Sequence, residues 1–388
     1  MFITDIQLTD FRSYGAALVH LPRGTVVLRG GNGQGKTNFI EAIGYLATLH
    51  SHRVSADQAL IRAGGGERRA AVINARVDDA GRELRLDIEI VASRANRARL
   101  NRQQVRPRDL IGQLKVVLFA PEDLAIVSGD PAARRHFLDD LVVQTRPVMA
   151  GIYADYNRVL KQRGALLKQM AAERAGRSRR PPDEYAESTL AVWDGQLLEL
   201  TERIITERRG LLDELQPHAT AQYRAITEDT AKVTELSLEY RARHLEYASS
   251  LAEAITAARS DELRRGVNLV GAHRDDMDIT LGGLPVKGYA SHGETWSTAL
   301  ALRLATFELF RSHSTMPILL LDDVFAELDE SRRRALIPAI KAADQAIITV
   351  ANGTEIPVEL DATVLEVSMG SGRTELSDPG VGSIEDSR

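Results

Sequence analysis

The sequence of 388 residues has no cysteine, few aromatic residues (5%) and no long hydrophobic run. Without cysteine the chain can form neither disulfides nor thiolate metal sites. A membrane-spanning helix needs about 20 consecutive apolar residues, so a transporter subunit of this sequence would need a separate membrane partner. The acidic, alternating N-terminal residues are unlike a signal peptide, and we expect a cytoplasmic protein without membrane association.

Composition is otherwise ordinary for a globular protein, with 44% hydrophobic and 27% charged residues. The length predicts two subdomains and a large core. The formal net charge is −5. A nucleic-acid-binding role would therefore depend on local basic patches and not on the overall charge.

Glycine, lysine and threonine are concentrated in residues 30–37, between an apolar segment and a segment with helical periodicity. The spacing of Gly30, Gly35, Lys36 and Thr37 fits the pattern G-x-x-x-x-G-K-[ST], in which backbone N–H groups surround phosphate oxygens. In that pattern the lysine reaches the β/γ-phosphates and the threonine hydroxyl binds magnesium. A Gly-rich turn that matches by chance is the alternative. The strand–loop–helix context favours an ATP site made of Gly30, Gly31, Asn32, Gly33, Gln34, Gly35, Lys36 and Thr37.

A second motif is an acidic pair that follows the apolar residues 318–321. A buried parallel strand would place Asp322 and Asp323 at the sheet edge, beside the phosphate-binding loop (P-loop) of residues 30–37. Asp322 is then expected to hold Mg²⁺ together with Thr37, and Asp323 to polarise the water that attacks the γ-phosphate. We predict Lys36 and Asp323 as the catalytic residues. A strand that ends in a polar turn is the alternative.

A third motif places Ser291, Gly293 and Glu294 before a long apolar-periodic segment. A hydroxyl and free N–H groups at a helix N-terminus suit a second contact to a phosphate. Capping of the helix alone also explains these residues, and it is the favoured interpretation when they are taken by themselves, because Ser-x-x-Glu openings are common.

The order of elements predicts one ATPase lobe interrupted by an insert. Residues 1–129 and 266–369 would form the two halves of the ATPase lobe, and residues 130–265 a helical lobe. The small, polar residues 370–388 are expected to be a disordered tail.

The motifs and their order resemble the ABC-type ATPases of the SMC and Rad50 group. The resemblance rests on "DFRSY", "GNGQGKTN", "HSHRVSADQALIR", "RLNRQQVR", "VLFAPEDLAIVSGDPAARRHFLDD", "GAHRDD" and "LLLDDVFAELD". The insert is too short for the long coiled coils of other members, which points to the branch that acts in bacterial recombination and gap repair. The implied fold class is α/β, a P-loop ABC-type ATPase head with an inserted helical second lobe.

The resemblance also implies a mechanism. Two ATP molecules would lie between two subunits, so ATP would drive homodimer formation. Ser291 and Gly293 would act in trans on the γ-phosphate, Asp329 would line the same interface, and Arg12 would approach the nucleotide. The expected protein is a weak DNA-stimulated ATPase that acts as a switch. It would close on gapped DNA or duplex/single-strand junctions, help to load recombinase during the SOS response, and work with recombination mediator proteins of the RecO/RecR type.

Several positions depart from the group's usual pattern. Ala290, His292 and Glu294 replace three positions of the usual Leu-Ser-Gly-Gly-Gln signature, and Asp323 stands where many members have glutamate. No clear Q-loop glutamine or switch histidine is present. We therefore predict slow hydrolysis, and two alternatives stay open: a nucleotide-gated scaffold, or a transporter ATPase subunit, neither of which binds DNA directly.

A candidate DNA-binding segment spans residues 94–108, which read as a hairpin with six arginines and no acidic residue. Arginines suit phosphates and give affinity without sequence readout. A charged, solvated sheet edge is the alternative. The candidates are Arg94, Arg97, Arg99, Arg102, Arg106 and Arg108, with weaker ones at 134, 135, 177, 179, 180 and 332–334. The "GAHRDD" segment, residues 271–276, fits a polar turn as well as a metal or proton-relay site, and we favour the turn.

Overall fold

The computed structural model describes residues 1–54, 56–64, 69–176, 185–227, 235–370 and 373–377. The chain divides into two compact units: residues 1–127, 217–235 and 290–388 form the first, and residues 128–216 and 236–289 form the second. In the described part of the chain, no helix is long and apolar enough to cross a membrane.

The first unit contains an antiparallel six-stranded sheet, sheet 1. Apolar side chains alternate with polar ones along its strands, so one face is buried and the other is polar, as period-two patterns predict. The strand order is β2-β1-β4-β5-β6-β7. The strands are β1 (Phe2–Phe11), β2 (Tyr14–His20), β4 (Ala70–Asp79), β5 (Arg82–Val91), β6 (Arg97–Leu100) and β7 (Gln103–Val105).

A second six-stranded sheet, sheet 2, is parallel except for its last strand, in the order β15-β14-β3-β13-β12-β8. Its central strands are almost continuously apolar, which is typical of parallel strands covered on both faces. The strands are β3 (Gly24–Gly30), β8 (Val116–Phe119), β12 (Ile318–Leu321), β13 (Gln345–Ala351), β14 (Thr363–Gly370) and β15 (Arg373–Ser377).

Helix α1 (Lys36–Thr48) joins the two sheets of the first unit in one hydrophobic core, with Phe39, Ile40 and Ile43 fully buried among residues of both sheets. Only residues 31–35 separate β3 from α1, so the core holds both ends of this short loop in place. The other helices of this unit are α2 (Leu124–Ser128), α8 (His292–Ser312), α9 (Val324–Glu327) and α10 (Glu330–Ala342).

The second unit combines helices with a three-stranded antiparallel sheet. Its strands are β9 (Leu236–Arg241), β10 (Asp276–Leu281) and β11 (Leu284–Pro285), in the order β11-β10-β9. Its helices are α3 (Pro131–Thr145), α4 (Met149–Arg174), α6 (Leu251–Arg265) and α7 (Val286–Tyr289), a single distorted turn. Helix α5 (Ala186–Thr227) runs through the unit boundary at Pro217.

The compact units differ from the predicted lobes of 1–129 with 266–369 and 130–265. Strand β9 lies within the predicted helical segment and pairs with β10, so this sheet brings residues up to Tyr289 into the second unit. Residues 217–235 belong to the first unit instead. Helical periodicity identified the helices, but the partner of β9 lies beyond the predicted boundary.

The prediction of a disordered tail is wrong for Gly370, the last residue of β14, and for residues 373–377. Residues 373–377 form β15, which pairs with β14 from Glu366↔Ser377 to Gly370↔Arg373. Polar, short-chain composition suggested disorder, but the strand is stabilised by its neighbour in the sheet. Residues 371–372 and 378–388 of the predicted tail lie outside the described residues.

Candidate nucleotide-binding site

The loop between β3 and α1 has the geometry of a phosphate-binding loop. Gly33 and Gly35 adopt φ of 77° and 105°, a left-handed conformation that favours glycine. The Lys36 Nζ donates to the carbonyl oxygens of Gly30 and Gly31, both at 2.9 Å, so the ammonium lies across the mouth of the loop. Backbone N–H groups at the start of α1 and the lysine together provide the positive potential that a polyphosphate requires.

Two glycines of the loop are also required by close packing. A Cβ on Gly30 would lie 2.2 Å from the carbonyl oxygen of Val367 on β14. A Cβ on Gly35 would lie 2.5 Å from the Thr374 Oγ1 on β15 and 2.8 Å from the Ser13 Oγ. The C-terminal strands therefore set the shape of the loop from outside.

The proposed magnesium ligands converge although they are far apart in sequence. The Thr37 hydroxyl donates to Asp322 Oδ1 at 3.0 Å, and the Thr349 hydroxyl donates to the same oxygen at 2.7 Å. Burial raises the pKa of Asp322, and the hydrogen bonds from Thr349 and Thr37 oppose that rise. Carboxylate and hydroxyl oxygens are the donors that Mg²⁺ prefers, and a cation here would offset the cost of a buried carboxylate. The residues present therefore fit the ion.

Asp323 lies in a left-handed conformation, with φ 53°. Its N–H donates to the Thr349 Oγ1 at 2.8 Å. Its Oδ1 is buried and has no hydrogen-bond partner among the described residues. Aspartate and asparagine tolerate this backbone conformation better than glutamate does, which gives a physical reason for the aspartate. A carboxylate oxygen without a partner is free to accept a hydrogen bond from water.

Arg12 pairs with Glu41, a glutamate of helix α1. Its Nε and Nη2 donate to Glu41 of α1 at 2.8 and 2.6 Å, and its Nη1 donates to the Ala59 carbonyl at 2.9 Å. Burial would raise the pKa of Glu41, but hydrogen bonds from Arg12 and Ser51 outweigh burial and hold it below its usual value. Glu41 is one helical turn after Thr37, so Arg12 lies beside the P-loop helix. Approach to a nucleotide stays a prediction.

Ser291 caps helix α8, as the simpler interpretation of the third motif proposed. Its Oγ accepts from the Glu294 N–H at 3.2 Å, and its N–H and hydroxyl both donate to the Glu294 carboxylate at 2.8 Å. The serine is exposed, so capping leaves this end of α8 accessible to a ligand. Contact with a phosphate across a dimer interface stays a prediction for Ser291 and Gly293.

Asp329 caps helix α10 and pairs with Arg332. Its Oδ1 accepts from the Arg332 N–H at 3.0 Å, and its Oδ2 accepts from the Arg332 guanidinium. The Arg332 guanidinium is thus engaged within the chain, which argues against Arg332 as a DNA contact. The expectation that Asp329 lines a dimer interface stays a prediction.

Several residues around the loop were missed because nothing in the local sequence marks them. The Tyr14 hydroxyl donates to the Gly35 carbonyl at 3.0 Å. The Thr374 hydroxyl donates to the Gln34 carbonyl at 2.9 Å, and it lies 2.7 Å from the Ser13 Oγ. His52 has a buried Nε2 without a partner among the described residues. Burial lowers the pKa of His52, and the charge of Glu122 is the largest influence opposing this.

The arginine-rich segment forms the predicted hairpin of β6 and β7 at the edge of sheet 1. Its two-residue turn, Asn101–Arg102, has positive φ at both positions. The Arg97 Nη1 lies 3.5 Å from the Glu89 Oε2. Arg106 makes a two-point ion pair with Asp109, in which its Nε and Nη2 donate to Oδ2 and Oδ1, both at 3.1 Å. Arg108 is half-buried, and Arg94, Arg99 and Arg102 are exposed. The arginines with no ion pair to the described residues are Arg94, Arg99, Arg102 and Arg108.

The "GAHRDD" segment is a buried structural turn of the second unit. Asp275 accepts from the Tyr240 hydroxyl at 2.7 Å and from the Arg243 N–H at 2.8 Å. Asp276 makes a two-point ion pair with Arg134, at 2.7 and 3.0 Å, so Arg134 is not available to DNA. Burial, and next the charge of Arg274, lowers the pKa of His273 to about 4. These contacts explain the motif without a metal. Three weaker arginine candidates, 177, 179 and 180, lie outside the described residues.

Known proteins resemble this chain over most of its length. Residues 2–373 match the family model described as the RecF/RecN/SMC N-terminal domain. The DNA replication and repair protein RecF of Frankia alni is 48% identical over 383 residues, which cover 95% of this chain and 98% of that protein.

Solved structures show the same fold. The recombination mediator protein RecF of the RecFOR pathway, solved with ATP, matches with a TM-score of 0.80 at 22% identity, covering 97% of this chain and 99% of that one. An Smc head bound to the C-terminal winged-helix domain of ScpA matches with a TM-score of 0.54 at 16% identity, covering 97% of both chains. These matches confirm the predicted fold class, a P-loop ABC-type ATPase head with an inserted lobe.

Proposed function

Since the chain belongs to the RecF family of the RecF/RecN/SMC proteins, we propose that it is an ATP-switched DNA-binding protein of DNA replication and repair. The observation that carries this proposal is the site in which the Lys36 ammonium spans the loop and the Thr37 hydroxyl lies 3.0 Å from Asp322. We propose that the protein is cytoplasmic and that it binds DNA. Family membership favours this role over a transporter subunit.

ATP with Mg²⁺ is the proposed ligand. Residues 30–37 would surround the phosphates, with Lys36 at the β/γ-phosphates and Mg²⁺ held by Thr37 and Asp322. The ion would neutralise phosphate charge. Asp323, whose Oδ1 is unpaired among the described residues, would orient and deprotonate the attacking water.

ATP would join two copies of the chain. Ser291 and Gly293 lie at the accessible start of α8, where the helix dipole is positive. In the proposed dimer they contact the γ-phosphate held by the partner's P-loop, and Asp329 lies at the same interface. Binding of ATP then controls dimer formation, and slow hydrolysis sets how long the dimer lasts.

DNA would contact the exposed face of the arginine hairpin. Arg97 and Arg99 are two residues apart on β6, so their side chains point to the same face of sheet 1. The tip residue Arg102 extends this face. Such contacts bind backbone phosphates without base readout, which fits gapped DNA or a duplex/single-strand junction as substrate. On such DNA the protein would help to load recombinase through partners of the RecO/RecR type.

The first experiment measures ATP-dependent dimer formation by light scattering on a sizing column. The wild type should become a dimer with ATP and Mg²⁺, and Lys36→Arg should remain a monomer, because a planar guanidinium cannot replace the compact ammonium within the loop. A Lys36→Arg protein that forms the ATP-dependent dimer as wild type does would show that the role assigned to Lys36 is wrong.

The second experiment separates a DNA-binding protein from a nucleotide-gated scaffold. DNA affinity is measured against salt concentration, with and without ATP. Each phosphate contact contributes about 0.9 to the slope of log K against log salt, so reversal of Arg97 and Arg99 to glutamate should reduce that slope by about 1.8. Arg264→Glu with Arg265→Glu on α6 is the control with the same change of charge. An unchanged slope removes the hairpin from the DNA surface, and no binding by wild type favours the scaffold.

A further inference from the structure

Arg332, near the start of α10, connects two segments of the chain through its side chain. Its side chain is 21% exposed, and all three of its nitrogen groups have partners in two different segments of the chain. Nη1 donates to Asp329, Nη2 donates to the Gly293 carbonyl at 2.9 Å, and Nε donates to the Ser297 Oγ at 2.9 Å. One guanidinium therefore links the "AELD" turn to the first two turns of α8.

The three hydrogen bonds of Arg332 depend on the shape of the arginine side chain. The guanidinium is planar and rigid, and its donors point in fixed directions, so three bonds fix the relative position of their acceptors. Lysine has one nitrogen on a flexible stem and could not hold three acceptors in the same way. Lysine would keep the charge but not the rigid connection.

Gly293 shows how closely the two segments approach. A Cβ on Gly293 would lie 2.8 Å from the Arg332 Nη2. A larger residue at this position would displace the Arg332 guanidinium from the Gly293 carbonyl oxygen, independently of any phosphate. Arg332 binds the carbonyl oxygen of Gly293 and therefore does not occupy the N–H of this residue.

We propose that Arg332 is a positioning residue that holds the Ser291–Gly293 segment and Asp329 together as one rigid element, which the chain presents to the nucleotide bound by its partner. This inference rests on the proposed ATP-dependent dimer. It assigns to Arg332 a role in trans, whereas Lys36 and Thr37 act on the nucleotide of their own chain.

The test compares Arg332→Ala and Arg332→Lys with Arg334→Ala, a control on the same helix whose side chain is 64% exposed and pairs with Glu330. ATP affinity of the monomer is measured at protein concentrations too low for dimers, and dimer formation by light scattering. Arg332→Ala and Arg332→Lys should bind ATP within twofold of wild type and dimerise at least tenfold more weakly. Arg334→Ala should match wild type in both measurements.

Mixing experiments distinguish action in trans from a general loss of stability. Labelled Lys36→Arg and Arg332→Ala chains are combined, and their association with ATP is followed by energy transfer. One site of this mixed dimer has an intact P-loop from one chain and an intact α8–α10 element from the other. It should associate as strongly as a mixture of wild type with Lys36→Arg, which contains the same intact site.

Three results would overturn the inference: normal dimer formation by Arg332→Ala, loss of ATP affinity in its monomer, or a mixed dimer weaker than the mixture of wild type with Lys36→Arg. Failure of the wild type to dimerise with ATP is a separate result, which contradicts the proposed function itself.

Discussion

Gly30→Ala is expected to destabilise the nucleotide-free protein, because β14 leaves no room for a methyl group. The new Cβ would lie 2.2 Å from the Val367 carbonyl oxygen, whereas ordinary contacts begin at 3.4 Å. The obstacle is backbone and cannot rotate away, so β14 or the loop must move by about 1 Å. Overpacking of this kind costs about 1–3 kcal/mol.

Gly44→Ala in α1 should have the opposite effect. Gly44 lies inside the helix, and a Cβ there would be 4.0 Å from Leu118, an ordinary contact. Alanine stabilises a helix interior by about 0.5–1 kcal/mol relative to glycine. For a unit of this size, each kcal/mol shifts Tm by about 2–4 °C. We therefore expect Gly30→Ala to lower Tm by about 2–12 °C and Gly44→Ala to raise it by about 1–4 °C.

The assay is thermal unfolding without nucleotide, followed by tryptophan fluorescence. The chain has two tryptophans, and Trp193→Phe leaves Trp296 of α8 as a reporter within the first unit. All variants are made in that background. If Gly30→Ala melts at the temperature of its parent, the close approach of β14 is wrong and the glycine serves phosphate binding alone.

Three further predictions concern the nucleotide site. Because burial raises the pKa of Asp322 in the folded chain, its favourable contribution to stability is present below its unfolded pKa and is lost as the pH rises through the folded pKa. Asp322→Asn should therefore raise Tm at pH 7, with a gain that disappears in acid, and should abolish the stabilisation by Mg²⁺ with ATP; a lower Tm at pH 7 contradicts this. Asp323→Asn keeps the left-handed backbone and should dimerise with ATP, while any hydrolysis by the wild type falls at least about 100-fold; unchanged hydrolysis would exclude Asp323 as the base. Thr374→Val removes the hydroxyl that donates to the Gln34 carbonyl and should weaken ATP binding about fivefold, since a lost hydrogen bond costs about 1 kcal/mol; Thr374→Ser is the matched control, and equal affinities for the two variants would refute the argument.

Much of the site could be predicted because its chemistry is encoded locally. Glycines at 33 and 35, followed by lysine and threonine, determine a loop and helix start within a few residues. The apolar strand before Asp322 was recognisable for the same reason. That Thr37 and Asp322 meet follows from the parallel order of sheet 2, in which β3 and β12 both flank β13.

The sequence did not predict which arginines form ion pairs within the chain, because their acidic partners are distant in sequence. Arg12 has its acid on α1, Arg134 has its partner 142 residues away, and Arg97 faces Glu89 across a strand pair. A count of arginines cannot distinguish these from the unpaired Arg99. The same holds for Arg332, whose acceptors lie on a helix before it in the chain.

The sequence by itself determined the phosphate loop, the acidic pair, the cap of α8 and most strands, because backbone conformation and periodicity depend on near neighbours. Tertiary structure alone decided that β15 covers the loop through Thr374, that β9 joins β10, and that one arginine connects Gly293 to Asp329. Each of these requires two segments that are remote in the chain to meet, and the free energy that brings them together comes from burial of the shared core.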